Sequence, residues 1–577
     1  MAFCFFSAMP LIFFSSLIGA KDRFYKGVAI LLALVFAVMS FWAIIQFFFL
    51  NNYFAGQARH PLADPSSLGA LFSLALFCSL GWLLYAGDNP VQRRAAAGLS
   101  LALMCGMIAT AARGPMLALV VTLPVFFWLL WPQVKQHKKT LGILLVCAVC
   151  FYGLTKVGIE KRLDIGSRIF GTFASGFEAE HSRLNIWTST IEMIKDHPLT
   201  GTGIGTFFLY YPEYRLNTSG DTVYLAHNDP LQFFAEMGVF SPFLFYAFIL
   251  LAALRTIKAL KILQGQQTFE RQVIVTLFCA LCAMVIHSHV AFNHYNLSIL
   301  MLEGIMLAAW FTVTGRVLNE KSVTSEMPKS FPSAAGGVLL AVPYVIIGWM
   351  LMGHVLGEHF ANRASRDLFS ENMLEFAQDV NKAGRVTHDQ NARVYLLAVN
   401  VPMAILDFKK DSIKADEAQK LYEQVKGYMD RVIAINPRSA PAQYYLGKVQ
   451  TMVPDGVVPK DTPTPEHYYK EALRLDKTHL GARLALLKIY EDRKTPRDEQ
   501  IAMMEEGIHF NYTMPIARDY YGALARLYLE AGSYEKSNLM LKKILAFDQW
   551  MEYSRLRQNT SIPQAITGGD DAMAKMW

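Results

Sequence analysis

The chain has 577 residues, of which 53% are hydrophobic and only 18% charged, with a mean hydropathy of +0.25. That balance excludes a wholly water-soluble globular protein and puts part of the chain in lipid. The net charge of +7 does not point to nucleic acid as a partner, because much of the surplus falls in loops between apolar runs.

The first twenty residues, MAFCFFSAMPLIFFSSLIGA, are apolar from the second position. They lack the basic start of a signal peptide and lead to no convincing cleavage site, so they read as a membrane helix. Together with this run near 3–20, bilayer-spanning runs near 27–50, 68–86, 95–112, 115–131, 140–155, 236–254, 272–290, 295–315 and 335–356 predict ten membrane helices. The loops near 21–26, 87–94, 132–139, 255–271 and 316–329 hold 15 Lys and Arg, against only Arg59 and Arg113 in 51–67, 113–114 and 291–294. The positive-inside rule sets the first group in the cytoplasm. The long loop 156–235 and the region after 356 then lie outside. So does the N-terminus, which predicts a further helix upstream in the natural chain.

All seven cysteines precede residue 283, each in an apolar run. Cys147–Cys150 and Cys279–Cys282 have CxxC spacing, but inside predicted membrane helices with no second ligand pair. They read as packing residues.

The external loop 156–235 is far too long for a connector. It contains GTGIG at 201–205, which reads as a turn because no strand precedes it and no Lys or Asp follows in register. At its end, AHNDPLQFFAEMG (226–238) predicts a helix opening the next membrane span. Asn228 or Asp229 is its N-cap, Pro230 its first residue, and Gln232 sits where a capping box takes Glu or Gln. Glu236 would then lie in a lipid-embedded segment.

After residue 360 the pattern turns to amphipathic helices. In ALARLYLEAGSYEKSNLMLKKILAFD (523–548), Ala525, Tyr528, Gly532 and Tyr534 fall where a tetratricopeptide repeat places a small residue, an aromatic, the turn glycine and a second aromatic. Weaker echoes at 435–447 and 468–490 predict a degenerate array of helical hairpins, whose concave surface would suit a protein partner. A purely structural role for the array is an equal reading. Residues 453–465 read as a loop and 559–577 as a poorly ordered tail.

Polar groups gather on the external side: Arg59, His60, Arg113, Arg183, Arg215, His227, Glu236, His287, His289 and His294. Arg59 and Arg168 also suit lipid headgroups, Glu178 and Glu180 a solvated pair, and Glu303 burial against neighbouring helices. The three histidines at 287–294 lack a cysteine or carboxylate in ligand spacing, which disfavours a metal site. Arginine holds phosphate bidentately, a helix N-terminus favours anions, and histidine takes a proton from a hydroxyl near neutral pH. Those parts suit a reaction in which a lipid-linked diphosphate leaves while an acceptor hydroxyl attacks.

The order AARGPMLAL, HSRLNIWTSTIEMIKDHPLTGTGIGTF, AHNDPLQFFAEMG and HSHVAFN resembles the superfamily of O-antigen ligases, Wzy-type polymerases and protein O-oligosaccharyltransferases, over about residues 50–310. HPLADPSSLGA (60–70) is similar to a family loop that often reads Asn-Pro-Asn and here reads Asp-Pro-Ser. The resemblance implies an all-α, polytopic membrane fold like that of the GT-C glycosyltransferases, in the bacterial inner membrane. The expected parts are N-terminal membrane helices (1–155), a periplasmic catalytic loop (156–235), C-terminal membrane helices (236–356) and a periplasmic helical domain (357–577). It implies transfer of a glycan from undecaprenyl diphosphate to lipid A core, polysaccharide or protein, without metal or other cofactor. His227 would be the base or acceptor-orienting group, Arg183 and Arg215 would hold the diphosphate, and Arg113 would support it. Glu236 and Gln232, one turn apart, would orient the loop, with Asn228 fixing the helix start and Arg59 contributing from the first external loop.

Ligase or polymerase is the leading reading, and protein glycosylation the alternative within the superfamily. A transporter is disfavoured because no helix repeat is visible and the charges gather at one face. An assembly scaffold would not need arginines and a histidine converging from separate loops.

Overall fold

The computed structural model describes residues 10, 12–13, 22–50, 57–62, 64–86, 89–155, 181–216, 223–320, 333–370, 372–409, 412–510, 512 and 514–559. The expected helix at 3–20 lies almost wholly outside them, as do Arg168, Glu178, Glu180 and the tail after 559. The described residues form helices joined by turns and irregular segments, with no strand among them. They divide into two compact units, residues 1–205 with 225–345, and residues 206–224 with 346–577.

The first unit holds α1 (Asp22–Phe49), α2 (Pro65–Tyr85), α3 (Pro90–Thr110), α4 (Arg113–Leu129), α5 (Trp131–Leu154) and α6 (His181–Asp196). Most of the chain between α6 and the next site helix belongs to the second unit, including α7 (Phe207–Tyr214). The first unit resumes with α8 (Asp229–Met237), α9 (Phe240–Ile262), α10 (Phe269–Ser288), a 3₁₀ turn at Asn293–Tyr295 and α11 (Leu297–Val317). Among the described residues α1, α2, α5, α9, α10 and α11 are long and apolar enough to cross a membrane, and α4 is a shorter apolar helix. This is a polytopic helical membrane protein.

Burial sorts these helices. The most apolar stretch of α2 is 89% buried, whereas that of α9 is 11% buried. A helix apolar all round and buried all round is the centre of a bundle. One equally apolar but left bare faces lipid. Around α2 the core gathers Phe72, Phe77 and Leu83, with Phe126 from α4 and Ile274, Val275 and Ala280 from α10. Lipid supplies no hydrophobic drive between helices, so close backbone approach and hydrogen bonds matter more. Gly81 lets Thr276 of α10 lie where a side chain on α2 would stand. The Gln272 amide donates to the Gly81 carbonyl at 3.1 Å, and Ser100 of α3 to Ser79 at 2.9 Å.

One expectation needs correction. Residues 226–238 do not open a membrane helix. The helix α8 is only nine residues long and stops at Gly238, whose φ of 76° is left-handed, and the membrane helix α9 starts separately at Phe240. Glycine in that conformation at a helix end is a C-terminal stop.

The helix α12 (Ser333–Phe369) begins in the first unit and ends in the second. Beyond it come α13 (Met373–Val386), α14 (Ala392–Ala398), α15 (Asn400–Phe408), α16 (Ala415–Ile435), α17 (Ala440–Gln450), α18 (Pro465–Leu475), α19 (Leu480–Asp492), α20 (Arg497–Glu505), α21 (Ile516–Glu530) and α22 (Tyr534–Asn559). From α16 onward each helix packs on the next. Ala525 and Tyr528 are buried and Gly532 turns at φ 72°, but Tyr534 is exposed. The segment 453–463 is irregular, up to the Thr464 cap of α18.

Candidate active site

The stretch before α8 is held from three sides. The Trp187 indole on α6 donates to the Ala226 carbonyl at 2.9 Å. The Ala226 N–H donates to the Gln232 side-chain oxygen at 2.8 Å, and the Asn228 side chain caps α8 by accepting from Leu231 N–H at 3.0 Å. Asn228 is therefore the cap, Asp229 the first helical residue and Pro230 the second. Gln232 reaches back to Ala226 instead of forming a capping box.

Between these supports His227 adopts φ 53°, the left-handed region that a non-glycine residue enters at a cost of about 1–3 kcal/mol. Its ring meets Phe292 edge-on, with centroids 5.0 Å apart. Burial lowers its pKa to about 4, and the Arg183 charge adds to this while Asp64 opposes it. His227 is thus neutral at physiological pH, with a nitrogen lone pair free to take a proton.

The glycine turn 201–205 packs on the far end of α8. Gly201, Gly203 and Gly205 all have positive φ (66°, 110° and 73°). Thr202 N–H donates to the Ala235 carbonyl at 3.0 Å and Gly203 N–H to that of Glu236 at 2.8 Å. The Glu236 carboxylate, 1% exposed, accepts from Gly205 N–H at 2.9 Å, Tyr295 O–H at 2.6 Å and the Gln232 amide at 3.3 Å. Glu236 is therefore packed within protein and outside the membrane helix.

A second bolt joins α8 to the loop before α11. The buried Asp229 carboxylate accepts from His294 N–H at 3.1 Å and lies 2.8 Å from its Nδ1, while His294 Nε2 lies 3.6 Å from Glu303. Burial opposes charge on His294, but the Glu303 and Asp229 carboxylates outweigh it and push the imidazole up to about 9.

The starts of α2 and α4 complete the region. Asp64 caps α2, accepting from the N–H and O–H of Ser67 at 2.7 Å each. Ser66 lies 3.0 Å from Nε2 of His287, the buried histidine at the end of α10. The His287 ring packs on Gly114, beside the exposed Arg113 that begins α4. Arg59 sits on a backbone segment fixed by the buried Gln46, whose oxygen accepts from Arg59 N–H at 3.1 Å and His60 N–H at 3.0 Å.

Of the residues expected from the sequence, the structure gathers His227, Asn228, Gln232 and Glu236 about α8, with Arg183 of α6 near enough for its charge to act on His227, while Arg113 stands next to Gly114, which packs on His287. Arg215 belongs to the second unit, where its buried guanidinium donates to Thr478 at 3.2 Å. The three histidines at 287–294 diverge: His287 meets Ser66, His289 meets Tyr246 at 2.7 Å, and His294 meets Asp229. Among the described residues no three His, Cys, Asp or Glu side chains gather as a metal site. Sequence reasoning missed Ser66 and the Asp229–His294 and Tyr295–Glu236 bonds. It offered Asn228 or Asp229 as the cap and had no signal for which loop would face Asp229.

Residues 97–246 match the family model described as O-antigen ligase (Wzy_C). No curated protein matches the chain. The matched stretch runs from α3 into α9 and contains Arg113, Arg183, the glycine turn, His227 and Glu236. Over that stretch the chain is similar to the O-antigen ligase family.

Proposed function

We propose that this protein transfers a glycan from undecaprenyl diphosphate to an acceptor hydroxyl at the periplasmic face of the bacterial inner membrane, as an O-antigen ligase or polysaccharide polymerase. The observation that carries this reading is His227, neutral and held in a left-handed backbone conformation within the electrostatic reach of Arg183. The family match supports ligase- or polymerase-type activity in general.

In the proposed step the acceptor oxygen attacks the anomeric carbon of the donor glycan and gives its proton to His227. The bond from that carbon to the diphosphate oxygen breaks, and its electron pair leaves with undecaprenyl diphosphate. Arg183 neutralises the charge growing on the diphosphate, with Arg113 in support. Asn228 and Gln232 fix the His227 backbone, Glu236 holds the glycine turn against α8, and Arg59 lies at the rim. No step is assigned to a metal. Arg215 is given an anchoring role on Thr478 in the second unit, since its guanidinium is buried there.

The bound donor would also raise the basicity of His227. Arg183 disfavours an imidazolium in the free chain, and a diphosphate paired with Arg183 removes that penalty. The base would thus strengthen when the donor is seated.

A protein hydroxyl as acceptor is the second reading. It is favoured by the run of successively packed helices α16–α22, a kind of surface that grips extended polypeptide.

The test is donor binding beside transfer. Arg183→Ala should weaken binding of undecaprenyl-diphosphate-linked glycan by about tenfold or more. His227→Ala should bind the donor normally and fail to transfer. Donor binding unchanged by Arg183→Ala would remove Arg183 from the proposal.

A further inference from the structure

The Ser66–His287 pair has no part in the step above, yet its geometry is specific. Nδ1 of His287 is buried with no hydrogen-bond partner among the described residues. An orphaned buried N–H is rarer and more costly than a bare lone pair, so the proton is assigned to Nε2. Nε2–H therefore donates to Ser66 Oγ, 3.0 Å away. That leaves Ser66 its own O–H to give elsewhere, and the hydroxyl makes no other hydrogen bond among the described residues. Ser66 is half-buried in the first turn of α2, where backbone N–H groups favour an anion.

The surroundings match a donor site. The Arg183 charge acts on both His287 and His227, and the Asp64 charge also reaches His227. The Asp64 carboxylate is itself engaged by Ser67, which turns it toward its own helix. Gly114 is what allows His287 its place: a Cβ there would stand 2.7 Å from Nε2 and Cδ2 of the ring.

We infer that Ser66 is a further donor-binding residue, whose hydroxyl, oriented by His287, hydrogen-bonds a diphosphate oxygen of the glycan donor as charge builds on the leaving group. This rests on the proposed glycan transfer. Ser66 moves no proton; it donates one hydrogen bond that strengthens as the bond to the anomeric carbon breaks.

The experiment uses the full chain in detergent with undecaprenyl-diphosphate-linked glycan, and runs His227→Ala in parallel. Ser66→Ala should lower kcat/KM for the donor by about tenfold or more, and Ser66→Thr should restore it to within about threefold. His287→Gln, whose amide N–H can replace Nε2–H, should keep most activity, whereas His287→Leu should match Ser66→Ala. The double variant Ser66→Ala/His287→Leu should be no worse than either alone, because one hydrogen-bond chain is lost once. Wild-type kcat/KM in Ser66→Ala, with transfer abolished in His227→Ala, would overturn this inference alone. Equal impairment in Ser66→Ala and Ser66→Thr with a lowered thermal midpoint would reduce Ser66 to a packing residue. Normal transfer by His227→Ala would overturn the transfer mechanism itself, and the role of Ser66 with it.

Discussion

Glu236→Ala tests how the glycine turn is tied to the site. The buried carboxylate accepts from Gly205 N–H at 2.9 Å and from Tyr295 O–H at 2.6 Å, with a weaker contact from Gln232 at 3.3 Å. Removing it takes an acceptor from two part-buried donors. A fully buried stranded donor costs about 1–3 kcal/mol, so partial burial holds the pair to about 2–4 kcal/mol. Glu236→Gln keeps one acceptor oxygen and should cost about half as much. Amide hydrogen exchange reads this locally. Gly205 N–H should exchange about 10- to 100-fold faster in Glu236→Ala, since each tenfold is about 1.4 kcal/mol. Gly203 is an internal control, because its N–H bonds the Glu236 backbone carbonyl at 2.8 Å, which the substitution retains. Exchange at Gly205 within about threefold of wild type would refute the reasoning.

Four further outcomes follow from the structure. Gly238→Ala places a Cβ against the Leu199 carbonyl at φ 76°, so it should lower the yield of folded protein sharply. Gly265→Ala, at φ 77° with open space around it, should cost only the left-handed strain of about 1–2 kcal/mol, compared by thermal midpoint. The acid limb of kcat/KM should fall near pH 4, where free-chain His227 titrates, and that of kcat should lie higher because the bound donor offsets Arg183. A kcat/KM limb at the ordinary 6.5 would contradict the lowering of His227 by burial and Arg183. His294 is raised to about 9, so the stability it contributes is complete below about 6.5 and is lost as pH rises through about 9. A thermal midpoint followed from pH 7 to 10 should decline in wild type and flatten in His294→Asn.

The sequence makes the membrane part legible because lipid leaves few options: apolar runs of bilayer length are helices, and most predicted runs have a helix in the described residues. The start of α8 was also readable, since Asn228 and Pro230 carry local capping chemistry. Its end was misread. In FFAEMGVFSPF the lone Glu236 does not break the apolar run, and a single glycine such as Gly238 does not by itself mark a helix stop. Gln232 shows a different limit: its spacing fits a capping box only with Asp229 as the cap, and with Asn228 in that place it accepts from Ala226 N–H, six residues back. Arg215 sits in an aromatic run with no periodic pattern, and nothing local foretells that Thr478, far along the chain, would take its guanidinium. Ser66 was hidden because a serine in a helix's first turn looks ordinary until His287 is placed against it.

The central claim is tested most directly by mixing purified protein with undecaprenyl-diphosphate-linked glycan labelled in the sugar, adding native envelope extract, and following both products. Wild type should release undecaprenyl diphosphate in step with labelled acceptor, and His227→Ala should release neither while still binding the donor. Labelled acceptor formed equally by His227→Ala would contradict the account.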